Sequence, residues 1–211
     1  GLAGSYFYLQ TTPPIYTRSA SILIKNDFQS SSSSASSLNV FGGNVDVNNE
    51  LFTLQSPNIA EETVRELHLE VTCYAQGRFH EEVLYGKALS VRVTPMELEE
   101  GESAGFMLDL KHDGSFVMSK FTRNGSSQSG TLMGKVGQIV KTPIGNVEVS
   151  KSEHYVPMDI LLRVERTSIS AAGSKVTTNL SVNAVSEMST IIKLSYNDES
   201  QQRAEDILST L

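Results

Sequence analysis

Four histidines have the widest chemical reach at neutral pH, and they lie far apart along the chain, at His68, His80, His112 and His154. Nucleophilic catalysis needs a nucleophile, a base and a group that orients the base, and a sequence offers only candidates for these roles. Each histidine stands among polar neighbours. His80-Glu81-Glu82 places three metal-capable side chains in succession. It lacks the His-x-x-x-His spacing that sets two imidazoles on one helical face for zinc, so it reads as a solvated turn. His112-Asp113-Gly114 reads as the turn of a hairpin. The run Gly130-Thr131-Leu132-Met133-Gly134-Lys135 mimics a phosphate-cradling loop but is one residue short and has no Ser or Thr after the lysine. Glu97, Glu99, Glu100 and Glu102 form an acidic cluster that reads as a solvated loop rather than a catalytic carboxylate pair. Cys73 is the single cysteine, which rules out an internal disulfide and a cysteine-based zinc site. The residues therefore assign no catalytic group, no cofactor and no metal, and the chain reads as a non-enzyme.

Composition narrows the partners. The 211 residues carry 17 Lys+Arg against 24 Asp+Glu, a formal net charge of -7. Phosphate binding rests on lysine and arginine density, so an acidic chain without basic clusters argues against nucleic acid. With 39% apolar residues a substantial core is expected, although aromatics are only 7% and tryptophan is absent.

The elements that would position any site follow from periodicity. Tyr16 to Ile24 alternates, with Tyr16, Arg18, Ala20, Ile22 and Ile24 on one face, and predicts a strand. The serine run at residues 30–37 predicts a flexible loop. Residues 46–69 predict a helix pair broken at Ser56-Pro57, where a capping residue precedes proline at the first helical position. Ile59, Ala60, Val64 and Leu67 form its apolar stripe, and Glu61 with Arg65 forms an i,i+4 pair. Residues 71–156 turn to short strands punctuated by glycine, with Asp113-Gly114 as a hairpin turn. Residues 160–164 and 175–185 lead back to a closing strand at residues 189–196. Asp198 is the expected N-cap of a last helix, with Gln201 as its capping-box partner and Ala204, Ile207, Leu208 and Leu211 at helical spacing.

Both ends read as cut from a longer protein. The last helix has barely begun at Leu211, and the first residues, Leu2-Ala3-Gly4-Ser5-Tyr6-Phe7-Tyr8-Leu9, are apolar, aromatic and uncharged. That stub is shorter than the ~20 residues needed to span a bilayer. It reads either as the last turns of such a helix or as a terminal element packed on the domain. A spanning segment is expected before Leu9, and a heptad-like helix and a second span after Leu211.

Four segments in order carry a family resemblance. The first runs from the apolar stub through Thr12-Pro13-Pro14-Ile15-Tyr16 to Ile24; the second is Asn49-Glu50-Leu51 to Ser56-Pro57 and on to Val64, ending at Leu67 and Leu69. The third runs from Gly134-Lys135-Val136-Gly137 through Lys141-Thr142-Pro143-Ile144-Gly145 to Val147, with Ile144 where phenylalanine is usual; the fourth is Ile191 to Tyr196 followed by Ala204 to Leu208. Together they resemble the chain-length determinant (Wzz-like) family, the polysaccharide co-polymerases of bacterial inner membranes. The third segment looks like an inserted element of members joined to, or paired with, a tyrosine autokinase in Bacteroides-like bacteria. Residues 74–132 match least.

Helices near the sequence ends with short strands between them indicate an α+β fold with a β-rich insertion, and the resemblance implies a mixed β-sheet with helices packed on it as the base domain. Its expected division is the end of a transmembrane helix and linker at 1–12, the base at 13–72 and 157–211, and the insertion at 73–156. It implies a periplasm-facing domain of a bacterial inner-membrane protein that regulates the chain length or export of capsular or exopolysaccharide. The expected partners are further copies of the chain in a ring, the polysaccharide polymerase or export machinery, and the inner membrane through flanking helices, with no nucleic acid. Ring contacts are expected from the polar face of the helix pair, at Glu61, Glu62, Arg65 and Glu66. A periplasmic carbohydrate-binding or adhesin-like β-rich module is the alternative, against which stands the lack of tryptophan to stack on sugars.

Overall fold

A computed structural model describes residues 14–23, 51–77, 79–185 and 191–211. The serine run at 30–37, the stub at 1–9 and the start of the helix pair at 46–50 lie outside the described residues. The strands are β1 (Tyr16–Leu23), β2 (Val71–Gln76), β3 (Glu81–Leu84), β4 (Val91–Pro95), β5 (Ala104–Leu110), β6 (Ser115–Arg123), β7 (Ser126–Lys135), β8 (Gln138–Thr142), β9 (Gly145–Lys151), β10 (Ile160–Arg166), β11 (Leu180–Ala184) and β12 (Ile191–Asp198). Three whole α-helices, α1 (Pro57–Leu67), α2 (Ile169–Asn179) and α3 (Gln201–Thr210), a 3-10 turn at Gly86–Ala88 and a helical stretch at residues 51–54, just before α1, complete the described chain.

The expected fold class is overturned. The described residues form twelve strands in three sheets, ordered β1-β12-β11, β3-β2-β10-β5-β6-β7 and β4-β9-β8, and strand far outweighs helix. Every pairing among the described residues is antiparallel, so they form no mixed sheet. The reason is local: short turns join most of residues 71–151, and a two-residue turn can join only antiparallel neighbours. The fold is β-rich.

Two hydrophobic cores divide it. The larger lies between the six-stranded and the β4-β9-β8 sheets. Ala104, Phe106, Leu108 and Leu110 point into it from alternate positions of β5, as do Leu162 and Val164 from β10. On β6 the inward residues are Phe116, Met118 and Phe121, a break in the alternation. Lys120, at φ 55°, lies in a β-bulge against β5, where β6 carries one extra residue, and this lets Phe121 face inward. Gly134 sits opposite Phe116 on β7, and a Cβ there would lie 2.6 Å from the ring. The glycines of the phosphate-loop mimic are thus part of a strand packed on an aromatic ring. At the β8–β9 turn Thr142 Oγ1 donates to the Gly145 carbonyl at 2.6 Å and accepts from the Ile144 N–H at 3.2 Å, which folds Ile144 into the core.

The second core joins the β1-β12-β11 sheet to α1, α2 and α3, with Leu51 and Leu54 of the helical stretch before α1 packed on it. Ala60 and Val64 of α1, Ile169, Ala172 and Val176 of α2, Ile192, Leu194 and Tyr196 of β12, and Ala204, Ile207 and Leu208 of α3 meet there. Ser56 caps α1 by accepting from the Asn58 N–H, with Pro57 following as expected. Helix α2, whose N-cap is Ser168, occupies part of the stretch that the sequence reads only as leading back to the closing strand. Gly173 on α2 brings α1 close, since a Cβ there would stand 3.0 Å from Glu61 Cγ and 3.3 Å from Glu61 N. The last helix also starts differently. β12 continues through Asp198, and Ser200 caps α3 by accepting from the Arg203 N–H at 3.3 Å.

Candidate functional site

The two cores are joined where α1 runs into β2 and β10 runs into α2, and the Thr167 N–H donates to the Glu70 carbonyl at 2.9 Å between those connections. Beside this junction is a cleft of about 160 Å³. One wall is the outward face of β2 and β10, with Thr72, Tyr74 and Glu165; the other is α2, with Ala171, Ala172 and Lys175. Tyr196, Asp198, Arg203 and Ile207 also line it. Residue alternation explains the placement: Cys73 of β2 points into the sandwich, so Thr72 and Tyr74 must point out.

Arg203 and Asp198 form a buried ion pair there. Arg203 Nε donates to both carboxylate oxygens at 3.0 Å and its Nη2 lies 2.9 Å from Oδ1. Asp198 Oδ1 also accepts the Ser200 N–H at 2.7 Å, so it holds the turn into α3 while Ser200 caps the helix. Tyr196 is buried alongside, and burial, reinforced by Asp198, pushes its hydroxyl up to about 12. On the opposite wall Arg163 lies over the Tyr74 ring at 4.0 Å. Arg163 binds Glu81 with Nε and Nη2 at 2.6–3.0 Å and Glu165 with Nη1 at 2.7 Å, contacts that raise its already high pKa. Burial, with Glu165 adding to it, raises the Tyr74 hydroxyl.

A second contact ties the units together. The Lys87 N–H in the 3-10 turn donates to Gln202 Oε1 of α3 at 3.2 Å. Gly86, at φ 55°, packs against the same side chain, where a Cβ would fall 2.3 Å from Oε1. Burial pushes the Tyr85 hydroxyl well above its ordinary value, and Asp206 of α3 adds to the shift.

The histidines occupy separate elements: His68 caps the C-terminus of α1 at φ 53°, His80 precedes β3, His112 is in the β5–β6 turn and His154 follows β9. No group of three or more His, Cys, Asp or Glu that could hold a metal occurs among the described residues. Within His80-Glu81-Glu82, Glu81 is engaged by Arg163 and by Gln76. The acidic cluster has structural partners. Glu102 accepts from Arg123 at 2.7 and 2.9 Å and from Asn124 at 3.2 Å, and this holds its carboxyl at about 2. Buried Arg166 donates to the Glu99 carbonyl at 2.7 Å and to that of Glu102, pinning the loop.

Of the expected contact residues, Glu62 and Glu66 are exposed on α1. Arg65 is engaged within the chain, at 3.5 Å from Glu61 and 3.0 Å from Glu100. The cleft was not foreseen from sequence, because its walls come from residues 69 to 207 and share no motif. No helix among the described residues is long and apolar enough to cross a membrane. No family model and no curated protein matches the chain.

Proposed function

We propose that the chain is a periplasm-facing domain of a bacterial inner-membrane protein that regulates the chain length or export of a capsular or exopolysaccharide, acting as an oligomeric scaffold. The observation that carries the reading is the convergence of three resemblance segments. β1, α1 and the β12–α3 unit are remote in sequence, yet they pack into one core, and β1 pairs with β12 along its whole length from Tyr16↔Asp198 to Leu23↔Ile191. Arg18 on β1 reaches α3, donating to Gln201 Oε1 at 2.6 Å and pairing with Glu205 at 2.8 Å. The first and last described elements are thereby locked together, a geometry suited to transmitting force or position between flanking segments. The third segment forms the β8–β9 hairpin of the other core. The resemblance stands here on these segments and not on the mixed sheet, which the structure overturned.

Side-by-side assembly would use the exposed acidic face of α1 at Glu62 and Glu66, since Arg65 is committed to Glu100 and Glu61. The test is the mass of the full-length protein in detergent, with and without Glu62→Lys and Glu66→Lys together. A ring-sized oligomer that the double variant shrinks supports the reading; a monomer in the parent protein refutes it. The second reading, a carbohydrate-binding β module, is favoured by the two-sheet sandwich and predicts sugar binding without assembly.

A further inference from the structure

We propose that the junction cleft binds one neutral sugar ring, presented as a single residue of a glycan. The inference rests on the polysaccharide reading above and names a binding site for it. Two carboxylates, Glu165 and Asp198, and two cations, Lys175 and Arg203, line the cleft, so it carries no net charge at neutral pH. That balance disfavours an anionic ligand. It suits a ligand whose groups both donate and accept, because Glu165 accepts, Lys175 donates, and the hydroxyls of Thr72 and Thr167 do either.

Leu69, Ala171, Ala172 and Val176, with the Tyr74 ring, supply the apolar surface that the C–H face of a pyranose needs. The volume of about 160 Å³ is enough for one ring. Charged groups facing the site are already oriented: Arg163 holds both Glu165 and the Tyr74 ring, and Asp198 holds Arg203. Little ordering is then left for the ligand to drive. The sugar would touch both units at once, β2 and β10 of the sandwich and α2 of the helical core, so its occupancy should stiffen their junction.

Amide NMR on the 211-residue chain tests this, using methyl β-D-glucopyranoside and methyl α-D-galactopyranoside as neutral probes and glucuronate as the anionic control. At least one neutral probe should give saturable shifts at Thr72, Thr167 and Ala172, with Kd on the order of 1 mM, as expected of a single ring. Ala171 is exposed at the rim, so Ala171→Trp should keep the folded spectrum and abolish those shifts, while Lys175→Ala should weaken binding several-fold. The proposal is overturned if neither neutral probe shifts the cleft residues, if Ala171→Trp leaves the shifts unchanged, or if glucuronate alone binds. None of those outcomes touches the oligomer mass of the full-length protein, which tests the reading beneath it separately.

Discussion

Removing Asp198 should be among the most damaging single changes at the junction of β12 and α3. Its side chain is 3% exposed and that of Arg203 10%, so Asp198→Ala strands a guanidinium away from water with its three contacts gone. Breaking a buried pair by removing one partner costs about 3–5 kcal/mol, and the orphaned Ser200 N–H adds roughly 1 kcal/mol. Against a typical stability of about 5–15 kcal/mol, that is about a quarter or more of the total. Removing both charges while keeping volume, as Asp198→Leu with Arg203→Met, should recover most of the loss, because the pair's desolvation cost goes too. Urea unfolding followed by far-UV circular dichroism at pH 7 reads this out. With a slope of about 3 kcal/mol/M the single variant should unfold about 1 M or more earlier. The reasoning is refuted if Asp198→Ala costs less than about 1 kcal/mol, or if the double variant is as unstable as the single one.

Three further outcomes follow from other parts of the fold. Cys73 is buried and burial pushes its thiol up to about 12, so a thiol-specific reagent at pH 8 should not label the native chain and should label it in denaturant. Glu102 is held at about 2 in the folded chain, below its unfolded value. The stability it contributes is present above the unfolded pKa and lost as pH falls from about 4.5 to about 2, and Arg123→Met should flatten that part of the stability–pH curve. Gly134→Val should lower the unfolding midpoint by the equivalent of about 1–3 kcal/mol, since the added carbons meet the Phe116 ring and Val140; an unchanged midpoint would place that strand differently.

Much of the fold was legible where one face is wet. β12 alternates cleanly and β1 over its first six residues, α1 announces itself with Ser56-Pro57 and an apolar stripe, and the Asp113-Gly114 turn sits between β5 and β6 as its residues require. Helix α2 was missed because Ile-Ser-Ala-Ala-Gly-Ser-Lys-Val-Thr-Thr-Asn is rich in residues of modest helix propensity. Its signal was Ser168 as a cap and Ile169, Ala172 and Val176 at helical spacing, held in place by tertiary packing. β7 was hidden by Gly130 and Gly134, which read as turns until Phe116 and Val140 explain Gly134, and β8 by the Gly137 turn before it. The cap of α3 was misplaced by two residues, since Asp198 had another partner that only the fold supplies, Arg203. The fold class erred because pattern marks strands but does not say how distant ones pair; the mixed sheet came with the resemblance, whereas every described pairing, β1 with β12 included, is antiparallel. The cleft was beyond reach for the same reason, as no local pattern links Thr72, Lys175 and Arg203.

Control of polysaccharide length is read from the size distribution of surface polysaccharide on gels. Cells lacking the gene that encodes this chain should lose their modal length and show a broad or short ladder, restored by the parent gene. A ladder unchanged by the deletion would contradict the account.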